Sequence, residues 1–446
     1  MKPIHVYVPN LALREDRRRS IKLQFLDKSE FCLHIVTPQK AEKASKSLWL
    51  TFIECLTEAY NNDFDYFIFA EDDHCFTEAY NFQNLSEAIS QAINCDADLL
   101  SGGVSWVDLP VQMPNKGLFS FNSFTGMQFT VIFKKAYSRI LSTKESVDCV
   151  TDQWLSKILD RKLVMYPYIS VQKEFGYSDV TAINNTKHRV EKLFEKAEKT
   201  LHVIDKINTY FAGSKTDEQN IFSENEIADF RISTYIIHLP ERIERQKLYI
   251  SQFAERKEFD IDSTDACRHQ IGAVGLWKSI CIAVSKAKNA NEDAVLICED
   301  DHIFTEYYTK DSFVRKVYGA ATYGAELLSG GIGGFGNAIP VANGLFWVDW
   351  LWCTQFIVIY SQAFDTILEA EFSEKDVADE FLSKILVNKM VIYPFISEQL
   401  DFGYSDVTAS NNESGKITRH FEVAKTRMER IQKMTSWILQ QEENSP

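Results

Sequence analysis

The chain has 446 residues, of which 45% are hydrophobic and 25% charged, a composition typical of a globular protein long enough for two domains. Its formal net charge of −15 argues against nonspecific nucleic-acid binding, because the phosphate backbone would repel the protein. Nine cysteines without a Cys-x-x-Cys pair predict free thiols rather than a disulfide framework or a zinc site. Because neither a signal-peptide pattern nor a long apolar run is present, we expect a cytoplasmic protein, with peripheral membrane contact at most.

The predicted elements begin with a short β-type run at Ile4–Val8 that ends at Pro9, followed by a helical pattern over Arg14–Leu26. A second helix is predicted over Leu48–Tyr60. It leads into Tyr66–Phe76, YFIFAEDDHCF, in which an apolar run stops abruptly at Glu-Asp-Asp-His. This pattern predicts a buried strand whose acidic residues lie at its carboxyl end, where α/β sheets bind their ligands.

Further elements follow in α/β order. A helix precedes a strand at Ala97–Leu100, which ends in Ser-Gly-Gly, and another β-type run covers Gln128–Phe133. A helix is predicted to start near Asp152, then a strand leads into Tyr166-Pro167, and a helix covers Val190–Phe211. The alternation of strands and helices predicts the α/β class.

The same order then recurs. AVLICEDDHIF at Ala294–Phe304 repeats the acid-ended strand at an offset of 299 − 71 = 228 residues, and GYSDVTA begins at both Gly176 and Gly403. A period this long indicates a duplicated domain rather than a solenoid. We predict one domain over residues 1–211, a polar linker over 212–230 and a second domain over 231–446.

The two acid clusters are the most informative feature of the sequence. Side chains alternate along an extended chain, so Glu299 and Asp301 should share one face, as should Glu71 and Asp73. Carboxylates placed in this way repel each other unless a proton or cation lies between them. The pattern favours a hard divalent cation holding a phosphate-bearing ligand, and the alternative is a solvated acidic turn.

Several motifs resemble glycosyltransferase family 25, the lipooligosaccharide and collagen-type glycosyltransferases. They are YIIHLPERIERQ from Tyr235, IGAVGLWKSI from Ile271, LICEDDH, VADEFLSKIL and VIYPFISEQLDFGYSDV, and most have a counterpart in the first repeat. The resemblance implies two tandem GT-A-like α/β/α domains, a UDP-sugar donor, Mn²⁺ or Mg²⁺, and transfer to a hydroxyl of a glycan or glycoconjugate acceptor.

The resemblance and the residue chemistry together give three groups of candidate residues. The metal ligands are Asp301 and Asp73, with the late histidines His420 and His188; the donor-binding residues are Glu299, Asp300, Glu71, Asp72, Arg242, Arg245, Arg14, Arg17, Gly272 and Gly275; and the candidate bases are Asp379 and Asp152.

Alternatives remain open for each group. The histidines could be ordinary surface residues, and the arginines could form ion pairs on their own helices, with Glu244 or Asp16. Asp379 and Asp152 could be helix N-caps, which is the usual role of such a residue. Asp406 and Asp179 are alternative bases.

The first repeat departs from the family pattern in carrying Ala44 and Ser47 where the second has Gly272 and Gly275. If these glycines let the backbone approach a nucleotide, the first repeat binds donor poorly. Two other functions fit the sequence: a non-catalytic saccharide-binding or scaffold pair, and a metal-dependent nucleotidyltransferase.

Overall fold

The structure is a computed structural model that describes residues 3–114, 117–143, 150–177, 186–213, 224–402, 413 and 415–443. The chain forms two compact units, residues 1–207 together with 433–446, and residues 208–432. Among the described helices, none is both long enough and apolar enough to cross a bilayer.

The first repeat alternates strands with helices. Its strands are β1 (Ile4–Pro9), β2 (Phe31–Val36), β3 (Tyr66–Phe69), β4 (His74–Phe76), β5 (Leu99–Ser101), β6 (Trp106–Asp108), β7 (Val111–Gln112), β8 (Leu118–Ser120), β9 (Ser123–Thr125), β10 (Thr130–Phe133), β11 (Lys162–Met165) and β12 (Ser170–Gln172). Its helices are α1 (Glu15–Phe25), α2 (Ala44–Asn61), α3 (Phe82–Asn94), α4 (Lys134–Leu141), α5 (Thr151–Ile158) and α6 (Arg189–Ala212).

The second repeat has the same order. Its strands are β13 (Ile232–His238), β14 (Phe259–Asp265), β15 (Ala294–Glu299), β16 (His302–Phe304), β17 (Leu327–Ser329), β18 (Ala338–Ala342), β19 (Leu345–Val348), β20 (Phe356–Tyr360), β21 (Lys389–Ile392) and β22 (Ser397–Gln399). Its helices are α7 (Glu224–Asp229), α8 (Ile243–Phe253), α9 (Gly272–Asn289), α10 (Lys310–Thr322), α11 (Phe364–Glu369), α12 (Ala378–Ile385) and α13 (Lys416–Glu443).

Each repeat is built on one mixed eight-stranded sheet. The strand order is β2-β1-β3-β10-β5-β11-β8-β7 in the first repeat and β14-β13-β15-β20-β17-β21-β19-β18 in the second. Each strand of one sheet has its counterpart at the same position in the other sheet. The strands β13, β14 and β15 run parallel, whereas β20 runs antiparallel between β15 and β17. The α/β prediction with two tandem domains is therefore confirmed.

The central strands explain why the apolar runs in the sequence are continuous. Residues Val295–Cys298 of β15 are at most 1% exposed, and so are Phe67–Phe69 of β3. A strand that is buried at consecutive positions has both faces of its sheet covered, which gives three layers. Polar residues begin where β15 leaves this core, so the sheet holds the acidic cluster at its carboxyl edge.

The region predicted as a linker is not wholly irregular. Helix α7 lies within the predicted 212–230 segment, with Ile227 buried and Phe230 packed edge-on against Phe313 at 6.2 Å between ring centroids. Its apolar contacts were missed because the segment is short and mostly polar. Residues 214–223 lie outside the described part of the chain.

Candidate functional site

In the second repeat, the acid cluster is held by a buried arginine. Asp300 and Asp301 follow β15 and are each 4% exposed. Arg245 on α8 donates from Nη1 to Asp300 Oδ1 at 2.8 Å and to Asp301 Oδ2 at 2.7 Å. The Phe402 ring lies 4.7 Å from its guanidinium carbon. The side chain of Arg245 therefore pairs across the fold with the acid cluster rather than with Glu244 on its own helix.

The second predicted arginine occupies a more open position. Arg242 Nη1 lies 4.0 Å from Asp300 Oδ2, and its side chain is 16% exposed, compared with 6% for Arg245. Arg242 also lines the cavity in front of the cluster. Of the two arginines, Arg242 is the better placed to meet a phosphate, whereas Arg245 holds the carboxylates in position.

The electrostatics of the cluster favour a cation. Burial, followed by the neighbouring charge on Asp301, raises the pKa of Glu299 to about 8, against a hydrogen bond from Thr354. Burial also raises the pKa of Asp301 to about 6, although Arg245 opposes this shift. Arg245 and the more distant Arg242 together carry two positive charges against three carboxyl groups, so a proton or a cation can supply the remaining charge.

One oxygen of this cluster is ready to bind such a cation. Asp301 Oδ1 is buried and has no hydrogen-bond partner among the described residues, whereas Asp301 Oδ2 accepts from both Arg245 and Gln399. An unpaired buried carboxylate oxygen is costly, and hard divalent cations prefer oxygen ligands. The residues therefore fit Mn²⁺ or Mg²⁺, with Asp301 as a direct ligand and Glu299 beside it.

The candidate base Asp379 lines the same cavity. Asp379 is the second residue of α12, and Val377 occupies the N-cap position, so the N-cap alternative is wrong. Asp379 Oδ2 accepts from the Cys353 backbone N–H at 2.9 Å, and Oδ1 accepts from that of Glu380 at 2.8 Å. Burial raises the pKa of Asp379, and the two backbone hydrogen bonds oppose this shift.

A cavity of about 530 Å³ brings most of these residues together. Its lining includes Arg242, Arg245, Gly272, Glu299, Asp300, Asp301, Cys353, Thr354, Asp379 and Gln399. These residues come from six separate parts of the sequence, so their convergence is a result of the fold.

The first repeat contains a close copy of this arrangement. Arg17 Nη1 donates to Asp72 Oδ1 at 2.8 Å and to Asp73 Oδ2 at 2.7 Å, and Asp73 Oδ1 is again buried without a partner among the described residues. Burial, followed by the charges on Asp73 and Asp152, raises the pKa of Glu71 to about 8. The Gly126 backbone N–H donates to Asp152 Oδ2 at 2.9 Å.

The first-repeat cavity measures about 440 Å³. Its lining includes Arg14, Arg17, Ala44, Ser47, Glu71, Asp72, Asp73 and Asp152. Asp152 is the second residue of α5, after Val150 at the N-cap, so the N-cap alternative is wrong here too. Arg14 Nη1 lies 3.7 Å from Asp72 Oδ2, which matches the position of Arg242.

The structure does not bring the two predicted histidine ligands into these cavities. His420 packs against Trp352, with 5.6 Å between ring centroids, and is one turn of α13 beyond Ile417, which does line the cavity. His188 has a side chain that is 57% exposed, and its Nδ1 lies 3.0 Å from Glu191 Oε2. Neither histidine is among the lining residues of these two cavities, but His188 lines a further cavity of about 720 Å³ that Arg17 and Asp73 also line.

The glycines of α9 have a packing role that the sequence did not reveal. A Cβ atom at Gly275 would lie 2.4 Å from the carbonyl oxygen of Cys267, so the glycine lets the loop after β14 pack against the helix. At the equivalent place in the first repeat, Ser47 Oγ donates to Gln39 O at 2.5 Å. Gly272 does line the cavity, in agreement with its predicted position.

Three residues of the site were missed by sequence reasoning. Gln399 Nε2 donates to Asp301 Oδ2 at 3.1 Å, and Thr354 Oγ1 donates to Glu299 Oε1 at 2.7 Å. Cys353 lines the cavity with a φ of 78°, a left-handed conformation that is rare for a residue with a side chain. Of the three, only Gln399 could have been found from the sequence, because Gln172 occupies the same place in the first repeat. In the structure Gln172 also donates to Asp73, at 2.7 Å. The alternative bases Asp406 and Asp179 lie outside the described residues.

Comparisons with known proteins give no family. No family model matches the chain, and no curated protein matches it. Among solved structures, A197 from STIV is 13% identical, with 39% of this chain and 86% of that chain covered and a TM-score of 0.28. UDP-glucose pyrophosphorylase complexed with UDP-glucose is 9% identical, with a TM-score of 0.26. The match covers 45% of this chain and 99% of that one. Similarities at these scores do not identify a function.

Proposed function

We propose that the protein is a metal-dependent glycosyltransferase that uses a nucleotide sugar, in the first instance a UDP-sugar, and transfers the sugar to a hydroxyl of a glycan or glycoconjugate. The observation that carries this proposal is the convergence of Glu299, Asp300 and Asp301 with Asp379 in one cavity. The carboxylates suit a divalent cation, and the separate Asp379 carboxyl suits a proton acceptor.

The roles of the residues follow from their positions. Asp301 and Glu299 would hold Mn²⁺ or Mg²⁺, which supplies positive charge opposite a diphosphate leaving group. Arg242 lines the cavity and would bind phosphate oxygens, while Arg245 keeps Asp300 and Asp301 oriented. Asp379 would accept the proton of the acceptor hydroxyl as that oxygen attacks the sugar.

The second repeat is the better candidate for sugar transfer. Trp352 is 38% exposed beside the cavity-lining Cys353 and packs against Trp350 at 5.1 Å between ring centroids. Exposed aromatic faces are suitable platforms for the apolar face of a sugar ring. In the first repeat the same positions are Thr125 and Ser123, so its cavity has no such pair.

The test is UDP release from a panel of UDP-sugars, measured with and without a saccharide acceptor mixture, in Mn²⁺ or in a chelator. We expect metal-dependent UDP release from one donor. Asp301→Asn should abolish it, and Asp379→Asn should lower transfer by about 10²-fold or more while leaving donor binding intact. Asp73→Asn is the matched control, because it makes the same change in the first repeat.

The other outcomes separate the remaining functions. Activity that is lost only in Asp73→Asn would move the proposed site to the first repeat, and separate donor activities lost in the two variants would show a bifunctional enzyme. Release of pyrophosphate from a nucleoside triphosphate and a sugar phosphate would show a nucleotidyltransferase. Absence of turnover together with saccharide binding would identify a non-catalytic pair.

A further inference from the structure

A second group of metal-binding side chains lies outside both acid-cluster cavities. His5 on β1 faces Cys32 on the neighbouring parallel strand β2, and His34 lies two residues further along β2. One ligand-type atom from each of these three residues lies within 4.8 Å of the other two. The nitrogen atoms His5 Nδ1 and His34 Nε2 are 2.9 Å apart.

The surroundings hold these rings in place without sealing them from solvent. His5 stacks on Phe64 at 4.1 Å, and His34 stacks on Tyr7 at 4.8 Å, measured between ring centroids. His5, Cys32 and His34 are each partly exposed, and Cys32 is a free thiol. Burial and the nearby His34 lower the pKa of His5, so its ring is neutral at pH 7 and able to donate a lone pair.

The second repeat shows that the fold does not require these residues. The equivalents of His5, Cys32 and His34 are Ser233, Asp260 and Asp262, since β13 pairs with β14 in the same register. There Lys286 Nζ lies 2.9 Å from Asp262 Oδ2. The first repeat has Glu58 at the lysine position, and its carboxylate accepts from Tyr7 Oη at 2.8 Å. An ordinary ion pair has therefore been replaced by two imidazoles, a thiol and a carboxylate.

We propose that His5, Cys32 and His34 bind a single zinc-class divalent cation, with a water molecule or Glu58 in the fourth position. Nitrogen and sulfur ligands select zinc-like cations over Mg²⁺ and Mn²⁺. Tetrahedral ligands of zinc lie about 3.3–3.6 Å apart, so small side-chain rotations suffice to reach this geometry from the present one.

Binding requires two proton movements. The Cys32 thiol loses its proton to solvent and binds as the thiolate. One histidine of the pair donates an N–H to the other at present, so its proton moves to the other ring nitrogen and leaves both facing nitrogens free to bind the cation.

A cation bound at this site would have a structural role rather than a catalytic one. β2 is the edge strand of its sheet, and the chain beyond it places Pro38 in the wall of the first-repeat cavity. A cation bound between β1 and β2 would fix that edge strand to its neighbour. The two rigid strands supply the ligands already in register, which favours binding.

The test is a Co²⁺ titration of the chelator-treated full-length protein in excess Mg²⁺, which occupies the acid clusters. We expect one equivalent to give a thiolate-to-cobalt band in the near ultraviolet, and Zn²⁺ to abolish it. Cys32→Ser should remove the band, whereas Cys353→Ser, which changes the thiol beside Glu299 and Asp301, should keep it.

His5→Ser introduces the residue that the second repeat carries at this place, so it is compatible with the fold. Loss of a residue that hydrogen-bonds to a metal ligand weakens metal binding by about tenfold or more. Loss of the ligand itself in His5→Ser should weaken Co²⁺ binding at least as much. A titration without a thiolate band, or a band that persists in Cys32→Ser, would overturn the proposal.

Discussion

At the scale of single residues, the chemistry of the site depends on how charge is distributed among a few buried groups. Arg245 donates one short hydrogen bond to each of Asp300 and Asp301, yet Asp301 Oδ1 keeps no partner among the described residues. Glu299 is left with its pKa raised to about 8. The sequence singled out these residues as candidates, but only the structure shows that Arg245 hydrogen-bonds the two aspartates while Arg242 is the more exposed of the two arginines.

The raised pKa of Glu299 gives a pH prediction for the metal-free protein. Because the folded pKa is about 8 and the unfolded value is near 4.5, the folded state binds the extra proton between these values. The free energy of unfolding should therefore fall as the pH rises from about 5 to 8. In Glu299→Gln this fall should be smaller, as measured by denaturant unfolding in chelator at several pH values.

Mn²⁺ supplies the control for this experiment. Because the cation competes with the proton, added Mn²⁺ should stabilise the wild type more at pH 8 than at pH 6. Identical pH profiles for the wild type and Glu299→Gln would show that Glu299 titrates normally. Glu71→Gln makes the same change in the first repeat.

At the scale of elements, the strand-to-helix connections position the site. In the first repeat the sequence predicted the central strands β1, β3, β5, β10 and β11, because their apolar runs are continuous, but it did not predict β2, β7 and β8 at the sides of the same sheet. It did not reveal why α9 carries a glycine at Gly275, since the reason is a carbonyl contributed by Cys267 in a different segment. The hydrogen bond to Asp379 from the Cys353 backbone N–H, 26 residues away along the chain, could not be predicted for a similar reason.

Gly275→Ala tests this packing, because helix propensity and the contact with Cys267 predict changes in stability of opposite sign. Helix propensity alone predicts stabilisation by about 0.5–1 kcal/mol. The new Cβ would lie 2.4 Å from Cys267 O, so we expect destabilisation by about 1–3 kcal/mol instead. Denaturant unfolding measures the change.

The matched control for this variant is Ser47→Ala in the first repeat. It removes one partly exposed hydrogen bond, to Gln39 O, and should cost about 1 kcal/mol or less. Stabilisation by Gly275→Ala would show that the loop can move away from the helix.

At the scale of the whole molecule, duplication gives the chain two acid clusters that differ in their surroundings. Both have the bridging arginine, an aspartate oxygen without a partner in the described part of the chain, and an aspartate from a further helix in the same cavity. They differ beside the cavity, where the second repeat has the cavity-lining Cys353 and its neighbour Trp352 in place of Gly126 and Thr125. The residues that the two repeats share suit binding of the same kind of ligand. The residues that differ suit a different acceptor or donor in each repeat.

The duplication predicts two Mn²⁺ sites per chain. Calorimetric titration should give a stoichiometry of two for the wild type and one for either Asp73→Asn or Asp301→Asn. The double variant should bind none, because the cluster His5, Cys32 and His34 disfavours Mn²⁺. A stoichiometry of one in the wild type that is abolished by Asp301→Asn alone would restrict metal binding to the second repeat.

The sequence by itself determined the α/β class, the duplication and the acidic ends of two central strands. These features follow from local apolar patterns and from residue identities repeated at a fixed offset, so they can be read along the chain. Only the tertiary structure decided that Arg245 bridges two aspartates, that Asp379 lines the same cavity as they do, and that His5, Cys32 and His34 meet on adjacent strands. Such contacts depend on strand order and register, which long-range packing sets and local periodicity does not specify.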